Sequence, residues 1–166
     1  MILASHIIVS GLLGATTQNY FLAAIFGFVS HYILDVIPHW DSYLSPEFNV
    51  KVETEDGSFI KEKLFWKEVG KIAIDILIGL GLLFVFLKTS SYINITAVFI
   101  SVFFGVLPDP LQLLYLMTKW RFIKWNFDFQ EFVHHSIHSK IDQKFWPGII
   151  IQISTIGIVF LILYKF

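Results

Sequence analysis

Apolar runs of near-bilayer length dominate this chain and leave it few folds to choose from. They cover residues 2–16, 20–37, 69–87, 92–117 and 147–164. A helix needs about 20 apolar residues to cross a hydrocarbon layer, since each residue adds only ~1.5 Å of rise. Backbone N–H and C=O groups find no water there, so such runs must satisfy their own hydrogen bonds as helices. The chain has 166 residues, of which 55% are hydrophobic and 15% charged, and its mean hydropathy is +0.68. A water-soluble domain carries about a quarter charged residues. The expectation is an all-α membrane protein, one multi-pass domain over residues 1–166 with a bundle of about five helices. The rival is a soluble, very apolar helical bundle. The run at 2–16 is short for a span. No Lys or Arg precedes it, so it reads as a retained first helix rather than a signal peptide.

Two polar segments interrupt the runs, at 42–67 and 119–146. In the first, residues 48–54 alternate apolar and polar, and Asp56-Gly57 and Phe59-Ile60 follow. An Asp-Gly between such stretches predicts a small β-hairpin in this loop. The second is aromatic and basic, with an interfacial helix expected around residues 127–139. Trp120, Trp125 and Trp146 suit the headgroup belt. Pro38 fits the end of the second helix. Pro108-Asp109-Pro110 should break or kink the fourth, since proline removes a ladder donor. Asp109 then suits an N-cap for the helix resuming at Pro110.

If the first run also crosses, both polar segments lie on one side of the membrane. Together they hold nine of the twelve Lys and Arg residues: Lys51, Lys61, Lys63, Lys67, Lys119, Arg121, Lys124, Lys140 and Lys144. The positive-inside rule then predicts cytoplasmic polar loops. On this map His6, His31, Asp35, His39, Asp41, Asp75, Asp109, His134 and His138 all fall on the cytoplasmic face. Scattered structural histidines would have no reason to do so.

Some chemistries are disfavoured. A net charge of −1 leaves no footprint for nucleic acid. With no cysteine there is no disulfide, thiolate ligand or cysteine nucleophile. There is no Gly-x-Ser-x-Gly elbow, phosphate loop or dinucleotide fingerprint.

What remains is imidazole and carboxylate, the ligand set of hydrolytic zinc. Ionisable groups within membrane helices are costly and tend to be functional. His31 and Asp35 stand four apart, as do His134 and His138, so each pair shares one helical face. A helix offers two ligands to one metal in this way. His39 and Asp41 follow the first pair, and their plainer role is to cap a turn. His135 points elsewhere on any helix. Asp75 has a simple partner in Lys71, one turn earlier.

Ser5-His6, Ser30-His31-Tyr32-Ile33-Leu34-Asp35, Gly105-Val106-Leu107-Pro108-Asp109 and His135-Ser136-Ile137-His138-Ser139 together resemble the membrane-bound metal-dependent hydrolases. This is a bacterial inner-membrane family, some members of which are described as LexA-binding. The chain departs from it in three ways. Pro-Asp-x-Asp is here Pro108-Asp109-Pro110-Leu111. His-Arg-Gly-x-x-His is here His134 to His138 without Arg-Gly. The His-x-x-x-Asp element comes early. That element is also similar, more distantly, to ligand helices of zinc-dependent phospholipase C. The resemblance implies a metal site more strongly than a particular reaction.

The expected ligands are therefore His6, His31, Asp35, His39, Asp41, Asp109, His134 and His138, around one or two divalent ions, most simply zinc. Asp35 or Asp41 is the expected base. The expected reaction is hydrolysis of a phosphoester or ester by metal-activated water, on a lipid or lipid-derived substrate, with membrane lipid as partner. The alternative is a non-catalytic membrane protein that binds a metal ion or docks a partner through the same cluster.

Overall fold

The computed structural model describes residues 2–40, 48, 63–88, 93–136 and 145–163. All regular structure among them is helical. The helices are α1 (Leu3–Ala15), α2 (Tyr20–Val36), α3 (Lys63–Leu87), α4 (Ile95–Val106), α5 (Pro108–Thr118), a 3-10 turn (Arg121–Ile123), α6 (Lys124–Ser136) and α7 (Phe145–Leu163). The hairpin expected from residues 48–60 lies outside the described residues apart from Phe48. That residue is buried against Leu64 and Phe65 of α3 and Leu113, Leu116 and Met117 of α5.

The helix count differs from about five for two reasons. The interfacial helix is a full α6, beginning at Lys124, and the proline pair divides one apolar run into α4 and α5. That division is milder than a break. Pro108 opens α5, where a missing N–H costs little. The ladder continues across the seam, with Leu107 N donating to the Phe103 carbonyl at 3.0 Å and Leu111 N to the Leu107 carbonyl at 3.2 Å. Leu107, not Asp109, is the N-cap, and it makes no side-chain cap.

α1 and α2 form a tight helical hairpin. The Asn19 side chain accepts from Phe21 N and Leu22 N at 2.9 and 3.2 Å, satisfying two orphan donors of α2. α1 is the centre of the molecule, packed by α2, α3, α4 and α7. Its Ile7, Ile8 and Leu12 form the core with Leu83 and Leu87 of α3 and Val98 of α4. α2 and α4 approach so closely that a Cβ on Gly27 would strike the Ser101 carbonyl, and α4 lies as close to α1, where one on Gly105 would strike the Ser10 side chain. Small residues allow such contact, and lipid-facing helices use it because apolar side chains gain little by leaving lipid. Buried serines find backbone partners here, one across the α4–α1 seam and one within α2. Ser101 Oγ donates to the Ser10 carbonyl at 2.7 Å and Ser30 Oγ to the Gly27 carbonyl at 2.8 Å.

Asp75 does not pair with Lys71. It accepts from Ala4 N at 3.1 Å and so caps α1, whose own N-cap residue Ile2 makes no side-chain bond. Lys71 instead reaches Glu68, at 2.8 Å.

Among the described residues, three helices are long and apolar enough to cross a membrane: Lys63–Leu87, the continuous Ile95–Thr118, and Phe145–Leu163. They are 25, 24 and 19 residues long, and their most apolar windows are only 17%, 28% and 11% buried. α1, with 13 residues, is about 20 Å long, short of the ~30 Å hydrocarbon layer. α6 is inverted relative to a helix on a water-soluble protein. Its inner stripe is Asn126, Gln130 and Val133, continuing Ile123, while Trp125, Phe129 and Phe132 face outward at 55%, 43% and 67% exposure.

Candidate metal centre

The centre is built from four helices. His6 comes from the first turns of α1, His31 and Asp35 from the last turns of α2, Asp109 from the start of α5, and Asn126 and Gln130 from α6. The α1–α2 hairpin brings the start of one helix beside the end of the other, and that places His6 against the His31–Asp35 face.

His6 Nε2 lies 3.2 Å from Asp35 Oδ1, and His31 Nε2 lies 3.1 Å from Asp35 Oδ2. The two imidazoles stack with centroids 4.3 Å apart and planes at 27°. One ligand atom from each of His6, His31 and Asp35 falls within 4.8 Å of the others, an arrangement that could hold a metal ion. Ligands on a tetrahedral zinc at ~2.0–2.1 Å stand roughly 3.3–3.5 Å apart, so small adjustments would suffice. All three residues are buried, His31 completely.

Two observations fit a cation. Neither ring nitrogen of His6 has a hydrogen-bond partner among the described residues, although the ring is 1% exposed. Nε2 stands 3.2 Å from Asp35 Oδ1 without making a hydrogen bond, and an unsatisfied buried imidazole is costly, a cost that a metal–nitrogen bond would remove. His31 Nδ1 meets the Gly105 carbonyl at 2.9 Å, so Nδ1 carries the proton there and the Nε2 lone pair faces the cluster. Two imidazoles and two carboxylates gather here, a donor set that a divalent cation takes.

A hydrogen-bonded chain braces one side. Asn126 Nδ2 donates to the Pro108 carbonyl at 3.0 Å, which fixes its amide orientation. Its Oδ1 then accepts from Tyr32 Oη at 2.8 Å, and Nδ2 also reaches Gln130 Oε1 at 3.3 Å. Gln130 Nε2 is left facing Asp109 Oδ1 and His31 Nε2, each at 3.2 Å. Asp109 Oδ1 stands 3.5 Å from His31 Nε2, and its side chain is 39% exposed. Asp109 is thus the exposed acidic edge of the centre.

The expected residues divide into three groups. His6, His31 and Asp35 converge, with Asp109 beside them. His39 is buried, but its Nδ1 meets the Ile37 carbonyl at 2.7 Å and it is not among the grouped donors. Asp41 and His138 lie outside the described residues, as does the side chain of His134. Sequence reasoning missed Asn126 and Gln130, both 0% exposed. Their four-residue spacing was visible, but neutral amides in a polar segment pass for solvated residues. The signal was their alignment with Ile123 and Val133 on one face, opposite the aromatics.

The centre is level with Asp75, near mid-length of α3, through the Ala4–Asp75 bond. α3 turns apolar just after Lys71, so the cluster sits where the polar part of that helix gives way to its apolar part. Comparison with family models, curated proteins and solved structures finds no match for this chain.

Proposed function

We propose that this is a multi-pass membrane protein whose His6–His31–Asp35 centre binds a divalent cation, zinc by its ligand chemistry, and hydrolyses a phosphoester or ester of lipid origin. The observation that carries the reading is the convergence of three buried donors from two helices, one of them an imidazole with no other partner. Membrane embedding is supported by the three long exposed apolar helices and by the outward aromatics of α6. The polar segments are assigned to the cytoplasm by their nine basic residues. The resemblance to membrane-bound metal-dependent hydrolases points the same way.

A divalent ion bound here would supply Lewis acidity, acidifying water and polarising an ester or phosphoester oxygen. Asp35, engaged by an imidazole at each oxygen, suits a ligand better than a base. Asp109 is the carboxylate placed to take a proton from water, because it is both solvent-reachable and held by Gln130. Gly105 orients His31 through Nδ1, and Gln130, 3.2 Å from both His31 Nε2 and Asp109 Oδ1, would give its amide to Asp109 when that nitrogen holds a metal. Asp41, His134 and His138 are proposed to complete the coordination from the polar segments.

A second reading, a non-catalytic metal site, is favoured by the burial of all three donors, since a structural site has no need of access. One experiment separates the two. Protein purified without a polyhistidine tag is assayed for metal by elemental analysis and for release of product from phospholipid and aryl phosphodiester substrates, as wild type and as Asp109→Asn. Metal with Asp109-dependent turnover supports the hydrolase. Metal without turnover supports the second reading. Absence of metal from a folded preparation offered zinc defeats both.

A further inference from the structure

The span Ile95–Thr118 ends in a turn of alternating character, Lys119-Trp120-Arg121-Phe122. Its 24 residues rise about 36 Å, more than the ~30 Å hydrocarbon layer, so in a bilayer its end reaches the head groups. Lys119 closes α5 in a left-handed cap, φ 52, and its N–H donates to the Tyr115 carbonyl at 2.7 Å. Thr118 Oγ donates to the Leu114 carbonyl, also at 2.7 Å. The chain therefore leaves the span abruptly and enters the 3-10 turn that leads into α6. Ile123, 3% exposed, ties the inner side of that turn to the bundle.

All four residues of the turn are exposed, Trp120 at 52% and Phe122 at 68%. The two rings meet with centroids 5.4 Å apart and so form one apolar projection. The two cations differ from others nearby. Lys124 is held by Asp128 at 2.6 Å and Lys71 by Glu68 at 2.8 Å. No carboxylate among the described residues pairs with Lys119 or Arg121; Lys119 Nζ lies over the Tyr115 ring at 5.8 Å. Two uncompensated positive charges thus flank an aromatic pair at the end of a span. A soluble anion would engage the cations and leave the rings in water. A zwitterionic lipid would bring its own cation beside the phosphate. An anionic phospholipid suits both halves of the turn.

We propose that the turn at 119–122 binds an anionic phospholipid of the adjoining leaflet. Lys119 and Arg121 take its phosphate, and Trp120 and Phe122 enter beneath its head group. Arg121 offers phosphate oxygens a planar fork of donors, and Lys119 a compact charge. Each cation should favour anionic over zwitterionic lipid about fivefold at low salt, and less as salt rises. The proposal rests on the membrane-spanning reading of Ile95–Thr118 and not on the metal, so a protein that proves inactive or metal-free leaves its test intact.

Trp120 reports its own surroundings once Trp40→Phe, Trp66→Phe, Trp125→Phe and Trp146→Phe make it the single tryptophan of the full-length chain. That protein is placed in phosphatidylcholine nanodiscs containing either brominated phosphatidylglycerol or brominated phosphatidylcholine, and quenching is measured. Both lipids should quench, with phosphatidylglycerol favoured about fivefold or more. Lys119→Ser together with Arg121→Ser should bring the ratio to about one. Lys63→Ser, at the polar start of α3, should leave it unchanged, and inorganic phosphate at matched ionic strength should not compete. If the single-tryptophan protein does not fold, native mass spectrometry of the wild type and the double variant reads the retained lipid instead. Phosphatidylglycerol should be kept by the first and lost by the second. Absence of quenching by either lipid overturns the membrane placement itself. Equal quenching by the two overturns only the anionic head group. A preference that survives the double variant, or that Lys63→Ser lowers as strongly, overturns the site at the turn. Displacement by inorganic phosphate would make it a site for a soluble anion.

Discussion

α1 and α7 are both apolar helices, and they have opposite fates. Ten of the thirteen α1 residues are buried, whereas α7 buries only Gly148 and Gln152 of its nineteen. The more hydrophobic helix is the more exposed one. α1 carries Ser5, His6, Ser10, Gly11 and Gly14, small or polar residues that let neighbours approach or need protein partners. α7 is largely Ile, Leu, Val and Phe. Burial in this chain follows side-chain size and polarity, which inverts the rule for water-soluble cores and matches packing within lipid. α6 repeats the inversion within a single helix, amides inward and aromatics outward. The two apolar helices that are too short to span and stand alone, α1 and α2, thus carry the His6–His31–Asp35 group.

The comparison breaks most decisively at His6. His6→Ala or Asp35→Ala should reduce bound zinc to background in elemental analysis, while Ile158→Ala on the outer face of α7 leaves it unchanged. If all three variants retain metal equally, the buried helices hold no privileged chemistry. Next come the helix seams. Gly27→Leu forces α2 from α4 and Gly105→Leu forces α4 from α1; either should cost about 3 kcal/mol or more, read as a lost or lowered unfolding transition in detergent. Gly157→Leu in α7, where a Cβ meets nothing within 4 Å, should stay within about 0.5 kcal/mol of wild type.

Gln130→Ala tests whether the amide chain of α6 belongs to the centre. It should weaken metal affinity by roughly 10–100-fold in competition with a chelator, with the helical spectrum unchanged. An unaltered affinity would detach α6 from the site. The smallest effect is expected at Asp75. Asp75→Ala uncaps α1 and should cost about 1 kcal/mol of stability without loss of metal. Loss of metal there would mean that the two polar centres flanking α1 act as one.

Some of the site was legible in the residue order. The four-residue spacing of His31 and Asp35 puts both on one helical face whatever surrounds them, and the structure finds them in contact. His39 stands just as near in the chain, yet beyond the end of α2 its ring is held by the Ile37 carbonyl instead. Asp109 looked like a cap because it lies between prolines. Across the seam, however, the ladder continues, and its carboxylate is taken by Gln130, 21 residues later. No local rule couples those two positions.

Periodicity, proline chemistry and the length of apolar runs act over one or two turns, and they alone determined that this chain is helical, where its helices turn, and that His31 pairs with Asp35. Which helix becomes the centre was decided by tertiary packing, because it depends on how closely Gly27, Gly105 and the serines let helices distant in sequence approach. The same packing brought His6 to the pair and turned Asn126 and Gln130 inward. Those contacts join residues from 18 to 99 positions apart in the chain, a separation over which only packing in three dimensions selects partners.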